Sequence, residues 1–167
     1  MDTVTGAHVA IARTVPVPRE QMWDMITDIV RVGEWSPETV AGTWFDGAEG
    51  PYRGARFIGR NHYPDGVVRT VTCAVTEAAR PATFAWTVLD EDGQVGSNWR
   101  YDLSDGREPA STVVYHSFTH GPGRTGARDG ERLSPGSLNR RLSTLSHNMA
   151  ATIEAMVASA TLIGATR

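Results

Sequence analysis

Three ionisable side chains stand in strand-like segments of the sequence, at positions where they could do chemistry: Tyr63, Arg69 and His116. An arginine on an apolar strand face can hold an enolate, phenolate or carboxylate oxygen, and a histidine or tyrosine can transfer a proton. We therefore consider Arg69 as the group that stabilises an enolate-like oxygen, with His116 or Tyr63 moving a proton. Two alternatives stay open: Arg69 extends to water from a strand end, and His116 is a structural histidine.

Alternation along the predicted strands indicates which side chains share a face with these three residues. The predicted inward sets are Val67, Arg69, Val71, Cys73 and Val75; Ala55, Phe57, Gly59, Asn61 and Tyr63; and Val114, His116, Phe118 and His120. In the last set the alternation is less decisive about which face is inward, because Val113 and Tyr115 lie on the opposite face. An apolar interior with a few polar groups is the expected result.

Aromatic and polar side chains on other segments are predicted to line the same interior. The candidate ligand-binding residues are Trp35, Asn61, Trp86, Trp99, Tyr101, Phe118, Ser146 and Met149. Buried Tyr and Trp need partners for their O–H and N–H groups, as in a small-molecule site, although packing in a core is the alternative for each of them. Trp35 precedes Ser36-Pro37, which stops a helix, so it either caps a cavity at its rim or wedges the helix onto the core.

No cofactor and no metal site are predicted. His116 and His120 are about 13 Å apart in an extended strand, at roughly 3.3 Å per residue, which is too far to share one ion. All 16 basic residues are arginines, so lysine-dependent Schiff-base chemistry is excluded. The same absence of lysine argues against a phosphate-binding loop at "GPYRGARFIG".

Periodicity and turn residues predict the order of the secondary structure. A strand at 9–15 precedes a helix in Arg19–Val30 and a short helical piece that ends at Trp35. Asp-Gly pairs separate several of the following strands, which are predicted at 39–46, 55–63, 67–78, 82–90, 95–104 and 111–120. The segment Gly121–Ser134 lacks apolar periodicity and is predicted to be an exposed loop.

One long helix is predicted to follow that loop. Its apolar stripe consists of Leu138, Leu142, Leu145, Met149, Ile153, Met156 and Ala160. Pro135 lies near the predicted start and Gly164 just past the predicted end. The chain is therefore expected to be α+β, with a curved antiparallel sheet of about seven strands wrapped around a long C-terminal helix, and two short helices between strands 1 and 2.

This order resembles the helix-grip fold of the START-like (SRPBCC) superfamily, which includes lipid-transfer proteins and polyketide cyclases/dehydrases. The stretch "VPVPREQMWDMITDIVRVGEWSPE" is similar to that superfamily's opening strand and helix, and "NWRYDLSDG" is similar to its Trp-x-Tyr strand. The resemblance covers nearly the whole chain. It matches Trp99 to the pocket tryptophan of the aromatase/cyclases, whereas Arg69 falls several residues before their middle-strand arginine.

The resemblance implies an internal cavity and a hydrophobic or polyketide-like small molecule as partner. It implies a cofactor-independent cyclase or dehydratase of secondary metabolism. The alternatives are a carrier that binds a lipid or aromatic metabolite without changing it, and an interaction partner with a vestigial cavity. Polar residues on the last helix, such as Ser146, are expected to help hold the ligand.

Length and charge also bear on the domain organisation and the partners of the protein. A chain of 167 residues favours a single START-like ligand-binding domain over 1–167, and its net charge of −3 argues against a nucleic-acid partner. No apolar run is long enough for membrane insertion, and a lone cysteine suits a cytoplasmic location. A homodimer is expected as an option beside the monomer.

Overall fold

Seven strands form the sheet in the computed structural model, which describes residues 1–63 and 65–165. Their bounds are β1 His8–Val15, β2 Thr39–Phe45, β3 Arg56–His62, β4 Val68–Ala79, β5 Thr83–Leu89, β6 Val95–Asp105 and β7 Thr112–His120. They pair antiparallel in the order β1-β7-β6-β5-β4-β3-β2. Consecutive strands from β2 to β7 are therefore neighbours, as expected for strands that are connected by hairpins.

Two short helices connect β1 to β2: the α-helix α1 (Arg19–Ile26) and the 3₁₀ helix η1 (Val32–Glu34). The buried face of α1 carries Met22, Trp23, Met25 and Ile26. The chain leaves η1 at Trp35 and turns toward β2, since a proline at position 37 disfavours the helical conformation of Ser36. Trp35 is only 6% exposed and belongs to the hydrophobic core.

The long helix α3 (Ser137–Ala165) closes the inner side of the sheet and packs along β1. Its buried apolar residues recur at spacings of three, four or seven positions, and they are Leu138, Leu145, Met149, Ile153, Met156 and Ala160. The core lies between α1, α3 and the inner face of the sheet. The predicted α+β helix-grip fold is confirmed. In the described part of the chain, no helix is long and apolar enough to cross a membrane.

Two predictions about helices are wrong. The segment Gly121–Ser134 is not a loop throughout, because Gly126–Leu133 form a helix, α2. Thr125 caps α2 by accepting the Arg128 N–H at 3.2 Å, and α2 buries none of its residues, so its sequence needs no apolar stripe. Gly164 lies within α3 rather than past its end, since one glycine costs a helix only about 1 kcal/mol.

The turn after β7 fits tightly against the first residues of β6. Gly121 donates its N–H to the Gly96 carbonyl and Gly123 donates to the Val95 carbonyl, each at 2.8 Å. A Cβ atom at position 121 would lie 2.2 Å from the Val95 carbonyl oxygen, so no side chain fits there. This contact fixes the end of β7, the start of α2 and the position of His120.

Candidate functional site

Cross-strand pairing brings four rings together on the inner face of β5, β6 and β7. Trp86 lies opposite Trp99, and Tyr101 lies opposite His116. The two tryptophan rings are stacked, with 3° between their planes and 6.0 Å between their centroids. The Tyr101 and His116 rings are stacked more closely, at 3.6 Å with 1° between their planes. We call these four residues the aromatic floor.

The two ring pairs of the aromatic floor differ in their accessibility. Tyr101 and His116 are 5% and 4% exposed. Trp86 and Trp99 keep part of their surface accessible, although they lie on central strands and pack against the core. The His116 ring is inclined by 31° to Trp86 and by 33° to Trp99. The floor therefore combines an accessible apolar surface with a deeper polar pair.

The hydrogen bond of His116 fixes its tautomer. Its Nδ1 lies 2.8 Å from the carbonyl oxygen of Arg100. Because a carbonyl only accepts, Nδ1 carries the proton and Nε2 is the acceptor of the neutral ring. Burial lowers the pKa of His116 to about 4, against the opposing effect of that hydrogen bond. His116 is therefore neutral at pH 7, and its Nε2 makes no hydrogen bond within the described residues.

Tyr101 is the second polar group of the aromatic floor. Burial raises the pKa of its hydroxyl above the usual range of a phenol, so the group stays protonated and can donate. Its oxygen makes no hydrogen bond to any described residue. Cys73, buried on β4, is also kept neutral, because burial raises the pKa of its thiol to about 12. These three polar groups, His116, Tyr101 and Cys73, are thus uncharged.

Other predicted ligand-binding residues have partners or belong to the core. The Trp99 indole N–H donates to the Ser97 hydroxyl at 3.1 Å, and Asn61 accepts from the Thr39 hydroxyl at 3.0 Å. Phe118 packs edge-on against Trp99, with 4.9 Å between their centroids. Ser97 was not among the predicted residues, although it lies two positions before Trp99 and so on the same strand face.

The remaining predicted ligand-binding residues lie at the end of η1 and on α3. Trp35 is covered by Arg31, whose guanidinium carbon lies 5.0 Å from the ring centroid. Met149 is buried in the core at 4% exposure, and Ser146 is half-buried on α3. Two of these three residues, Trp35 and Met149, are therefore core side chains.

His120, on the same face of β7 as His116, uses both ring nitrogens. Its Nδ1–H donates to the Gly121 carbonyl at 2.9 Å, and its Nε2 accepts from the Thr125 hydroxyl at 2.7 Å. Burial lowers its pKa, and Arg128 lowers it further, while the hydrogen bond to Gly121 and nearby Asp2 oppose the shift. His120 therefore holds the first turn of α2 in place.

The two other candidate catalytic residues lie together, away from His116. The Arg69 side chain is 52% exposed and binds Asp65 at 3.0 Å, and its guanidinium carbon lies 4.9 Å from the centre of the Tyr63 ring. Arg141 of α3 approaches the same ring at 6.0 Å and pairs with Glu38. We call Glu38, Tyr63, Asp65, Arg69 and Arg141 the rim cluster. Within it, Arg69 lies three strands from β7, about 14 Å across the sheet at about 4.8 Å per strand, and it is also nine positions along β4 from Ala78, which the strand pairing sets level with His116.

A cleft outside the sheet lies at the opposite end of the strands. Its volume is about 360 Å³, and its charged lining residues are Arg19, Glu20, Asp105, Arg107 and Glu108. Arg19 Nε lies 3.4 Å from an Asp105 carboxylate oxygen. Because this cleft lies at the turn between β6 and β7 rather than on the inner face, and its charges of both signs are mixed, we place the candidate site on the inner face of the sheet.

Comparison with known proteins identifies the family of the chain. A sequence profile of the family described as "Polyketide cyclase / dehydrase and lipid transport" matches residues 6–154. The chain belongs to this family. Family membership supports a cyclase-like or ligand-binding role for this polyketide cyclase/dehydrase family protein. No curated protein matches its sequence significantly.

Solved structures resemble this polyketide cyclase/dehydrase family protein over most of its length. Protein NE0264 from Nitrosomonas europaea has a TM-score of 0.68 at 14% identity and covers 99% of each chain. The Polyketide_cyc-like protein Cgl2372 from Corynebacterium glutamicum has a TM-score of 0.58 at 26% identity, with 94% of this chain and 91% of that chain covered. The di-domain ARO/CYC StfQ from the steffimycin biosynthetic pathway has a TM-score of 0.68 at 14% identity, with 95% of this chain and 51% of that chain covered.

Proposed function

We propose that this protein binds a neutral, flat, oxygen-bearing apolar molecule between the sheet and α3, and acts on it as a polyketide cyclase- or dehydratase-like enzyme. The observation that carries this proposal is the stacked pair of Tyr101 and His116. Both residues are buried, both are neutral, and the Tyr101 hydroxyl oxygen and His116 Nε2 have no hydrogen-bond partner among the described residues.

The tryptophans of the aromatic floor support a flat apolar ligand. Trp86 and Trp99 present nearly parallel rings that keep accessible surface in the middle of the sheet. A planar ligand can stack on them, and such contacts contribute about 0.5–1.5 kcal/mol beyond the area that they bury. An aromatic or extended conjugated molecule therefore fits this surface better than a branched one.

The absence of charge on the interior polar groups supports a neutral ligand. His116, Tyr101 and Cys73 are all held in their uncharged forms by burial. An ionised ligand group placed among them would lose its hydration without gaining a counter-ion, which costs several kcal/mol. Hydroxyl and ketone oxygens can instead be satisfied by a donor and an acceptor.

The chemistry that this pair can perform is proton transfer next to a carbonyl. His116 Nε2 can take a proton from a carbon that is flanked by carbonyl groups, which leaves an enolate on the ligand and an imidazolium on the protein. The Tyr101 O–H can donate to the enolate oxygen as the charge develops. Confinement between the sheet and α3 then favours the folded ligand conformations that cyclise.

A carrier without catalysis is the second candidate, and one observation favours it. The pKa of His116 is lowered to about 4, which makes its neutral ring a weak base at neutral pH. The same hydrogen bonds to a ligand would then serve recognition alone.

Calorimetric titration with simple naphthalenes tests the binding proposal. We expect β-naphthol to bind about tenfold more tightly than β-methylnaphthalene, which has a similar shape but forms no hydrogen bond, a difference of about 1.4 kcal/mol. We expect the anionic β-naphthoate to bind least. His116→Asn keeps an amide N–H near the position of Nδ1 and removes Nε2, so this variant and Tyr101→Phe should lose most of the preference for naphthol. Equal affinities for naphthol and its methyl analogue in the unmodified protein would contradict the proposal.

The base-catalysed elimination reaction of nitrobenzisoxazole distinguishes the enzyme proposal from the carrier proposal. A base removes its ring C–H proton, the N–O bond breaks, and a coloured cyanonitrophenolate forms. If His116 is a catalytic base, the unmodified protein accelerates this reaction and His116→Asn loses the acceleration; a carrier gives the same rate in both proteins. Arg69→Gln tests the role first considered for that arginine, and we expect no change, because its guanidinium is bound to Asp65.

A further inference from the structure

The ion pair between Glu38 and Arg141 joins the loop before β2 to the long helix α3. Glu38 lies in the loop between η1 and β2, and Arg141 lies in the first turns of α3. Their side chains are 14% and 27% exposed, so this pair is more buried than the other ion pairs among the described residues. Partial burial reduces solvent screening and strengthens the attraction between the two charges.

The Glu38 end of this ion pair is held firmly by the backbone. Its carbonyl accepts the His62 N–H at 2.8 Å, and its own N–H donates to the Ser36 hydroxyl at 3.2 Å. The backbone of Glu38 is thus fixed to the end of β3. Arg141 reaches it from α3 along a long flexible side chain, and the guanidinium also lies over the Tyr63 ring.

The ion pair lies at the boundary of the interior. One helical turn after Arg141, Leu145 is 2% exposed and belongs to the core, and Leu142 packs against the same core while it stays partly accessible. Three residues before Glu38, Trp35 is buried in that core as well. A route to solvent between α3 and β3, from the ligand site proposed above the aromatic floor, would pass this ion pair.

The other side of the sheet is closed in a different way. There α3 packs along β1, and β1 pairs with β7 without interruption from His8 to Val15. Opening that side would require breaking a continuous ladder of backbone hydrogen bonds. Opening the β3 side breaks no ladder between strands: it separates the Glu38–Arg141 ion pair, moves Arg141 off the Tyr63 ring and parts the apolar contacts beside them.

We propose that the Glu38–Arg141 ion pair is a latch that controls the exchange of ligand between the interior and solvent. This inference rests on the proposed interior ligand site. In the bound state the ligand does not contact the latch. Breaking the ion pair therefore raises the rate constants of association and dissociation by the same factor and leaves the equilibrium affinity unchanged. Added salt weakens the ion pair, so exchange in the unmodified protein also becomes faster as ionic strength rises.

Stopped-flow measurements with Prodan, a neutral naphthyl ketone whose emission reports polarity, test the latch. We expect Glu38→Gln and Arg141→Gln each to raise both rate constants about fivefold, as for the loss of an ion pair of moderate strength. The double variant should match either single variant, since both remove the same interaction. Arg140→Gln is the matched control: among the described residues the Arg140 guanidinium donates a hydrogen bond to Ser134 Oγ, at 3.4 Å, and interacts with Glu131, but it has no ion pair with Glu38, so the rates of this variant should stay unchanged.

Two results would overturn the latch. One is that both variants exchange Prodan at the rates of the unmodified protein. The other is weaker affinity at an unchanged association rate, which would make Glu38 and Arg141 ligand contacts. Amide hydrogen exchange of the ligand-free proteins tests the latch separately from the interior site. Faster amide exchange at 36–40 in Glu38→Gln supports the latch even if Prodan does not bind. Failure of the unmodified protein to bind Prodan counts against the interior site alone. Unchanged amide exchange would remove the latch.

Discussion

His116 and His120 share a strand, a strand face and nearly complete burial, yet their second ring nitrogens have different environments. In both residues Nδ1–H donates to a backbone carbonyl, which fixes the same neutral tautomer. Nε2 of His120 accepts from the Thr125 hydroxyl, while Nε2 of His116 has no partner among the described residues. Burial alone therefore does not distinguish a structural histidine from a functional one; the partner of the second nitrogen does.

The surroundings of the two rings explain this difference. His120 lies at the end of β7, where the turn at Gly121 and the start of α2 bring backbone and hydroxyl groups within reach. His116 lies in the middle of the strand, where its neighbours are the rings of Trp86, Trp99 and Tyr101. Rings stack on an imidazole but leave its in-plane acceptor open, so a ligand can supply the missing donor.

The largest expected effect is on stability at acid pH. The pKa of His116 is lowered from 6.5 to about 4 in the folded protein. As the pH falls from 6.5 towards 4, the unfolded chain binds a proton that the folded protein does not, so the free energy of unfolding decreases by about 3 kcal/mol. Urea unfolding near neutral pH and near pH 4 measures this loss, and His116→Asn should lose about 3 kcal/mol less than the unmodified protein.

His120→Asn provides the comparison for that experiment. The pKa of His120 is also lowered, by burial and by Arg128, so its contribution to stability has the same sign, but the hydrogen bond to the Gly121 carbonyl and nearby Asp2 oppose the shift. We therefore expect His120→Asn to reduce the acid sensitivity less than His116→Asn does. The reverse order would show that the two histidines have been assigned to the wrong environments.

The second prediction concerns stability near neutral pH. His120→Asn removes the acceptor of the Thr125 hydroxyl, which also caps α2, and we expect a loss of about 2 kcal/mol in the free energy of unfolding. Because His120 is not part of the aromatic floor, affinity for β-naphthol should change less than twofold. Urea unfolding and calorimetry on the same sample measure both quantities, and a large loss of affinity would end the distinction between the two histidines.

The smallest expected effect comes from Ser97→Ala. This change removes the acceptor of the Trp99 indole N–H and should lower the free energy of unfolding by about 1 kcal/mol. The freed indole can reorient, so the affinity for β-naphthol should fall slightly, by about twofold. Tryptophan fluorescence during urea unfolding measures the stability, and an unchanged stability would mean that the hydrogen bond does not hold the Trp99 ring.

The sheet and the long helix could be predicted because burial leaves a period in the sequence. Alternating residues and Asp-Gly turns marked the six consecutive strands, and the apolar stripe from Leu138 to Ala160 marked α3. Helix α2 could not be predicted in this way, since none of its residues is buried. Its only local signal was Thr125, a capping residue in a segment rich in glycine.

The candidate site could be predicted only in part, since alternation gives a face but not a register. It placed Tyr101 and His116 on inward faces, but their stacking depends on the register that sets them opposite each other on β6 and β7. The tautomer of His116 depends on the Arg100 carbonyl of a neighbouring strand, which no local pattern reveals. The pairing of Glu38 with Arg141, more than a hundred positions along the chain, likewise left no signal in the sequence.

Heteronuclear NMR of the imidazole nitrogens during a titration with β-naphthol tests the central claim most directly. We expect the Nε2 resonance of His116 to shift as the naphthol hydroxyl donates to it, while both nitrogens of His120 keep their resonance positions. Tyr101→Phe should leave this shift in place and weaken the affinity, because the tyrosine acts on the ligand rather than on His116. If β-naphthol binds and the Nε2 resonance of His116 does not move, or if His120 shifts as much, His116 is not the acceptor of the ligand and the account is wrong.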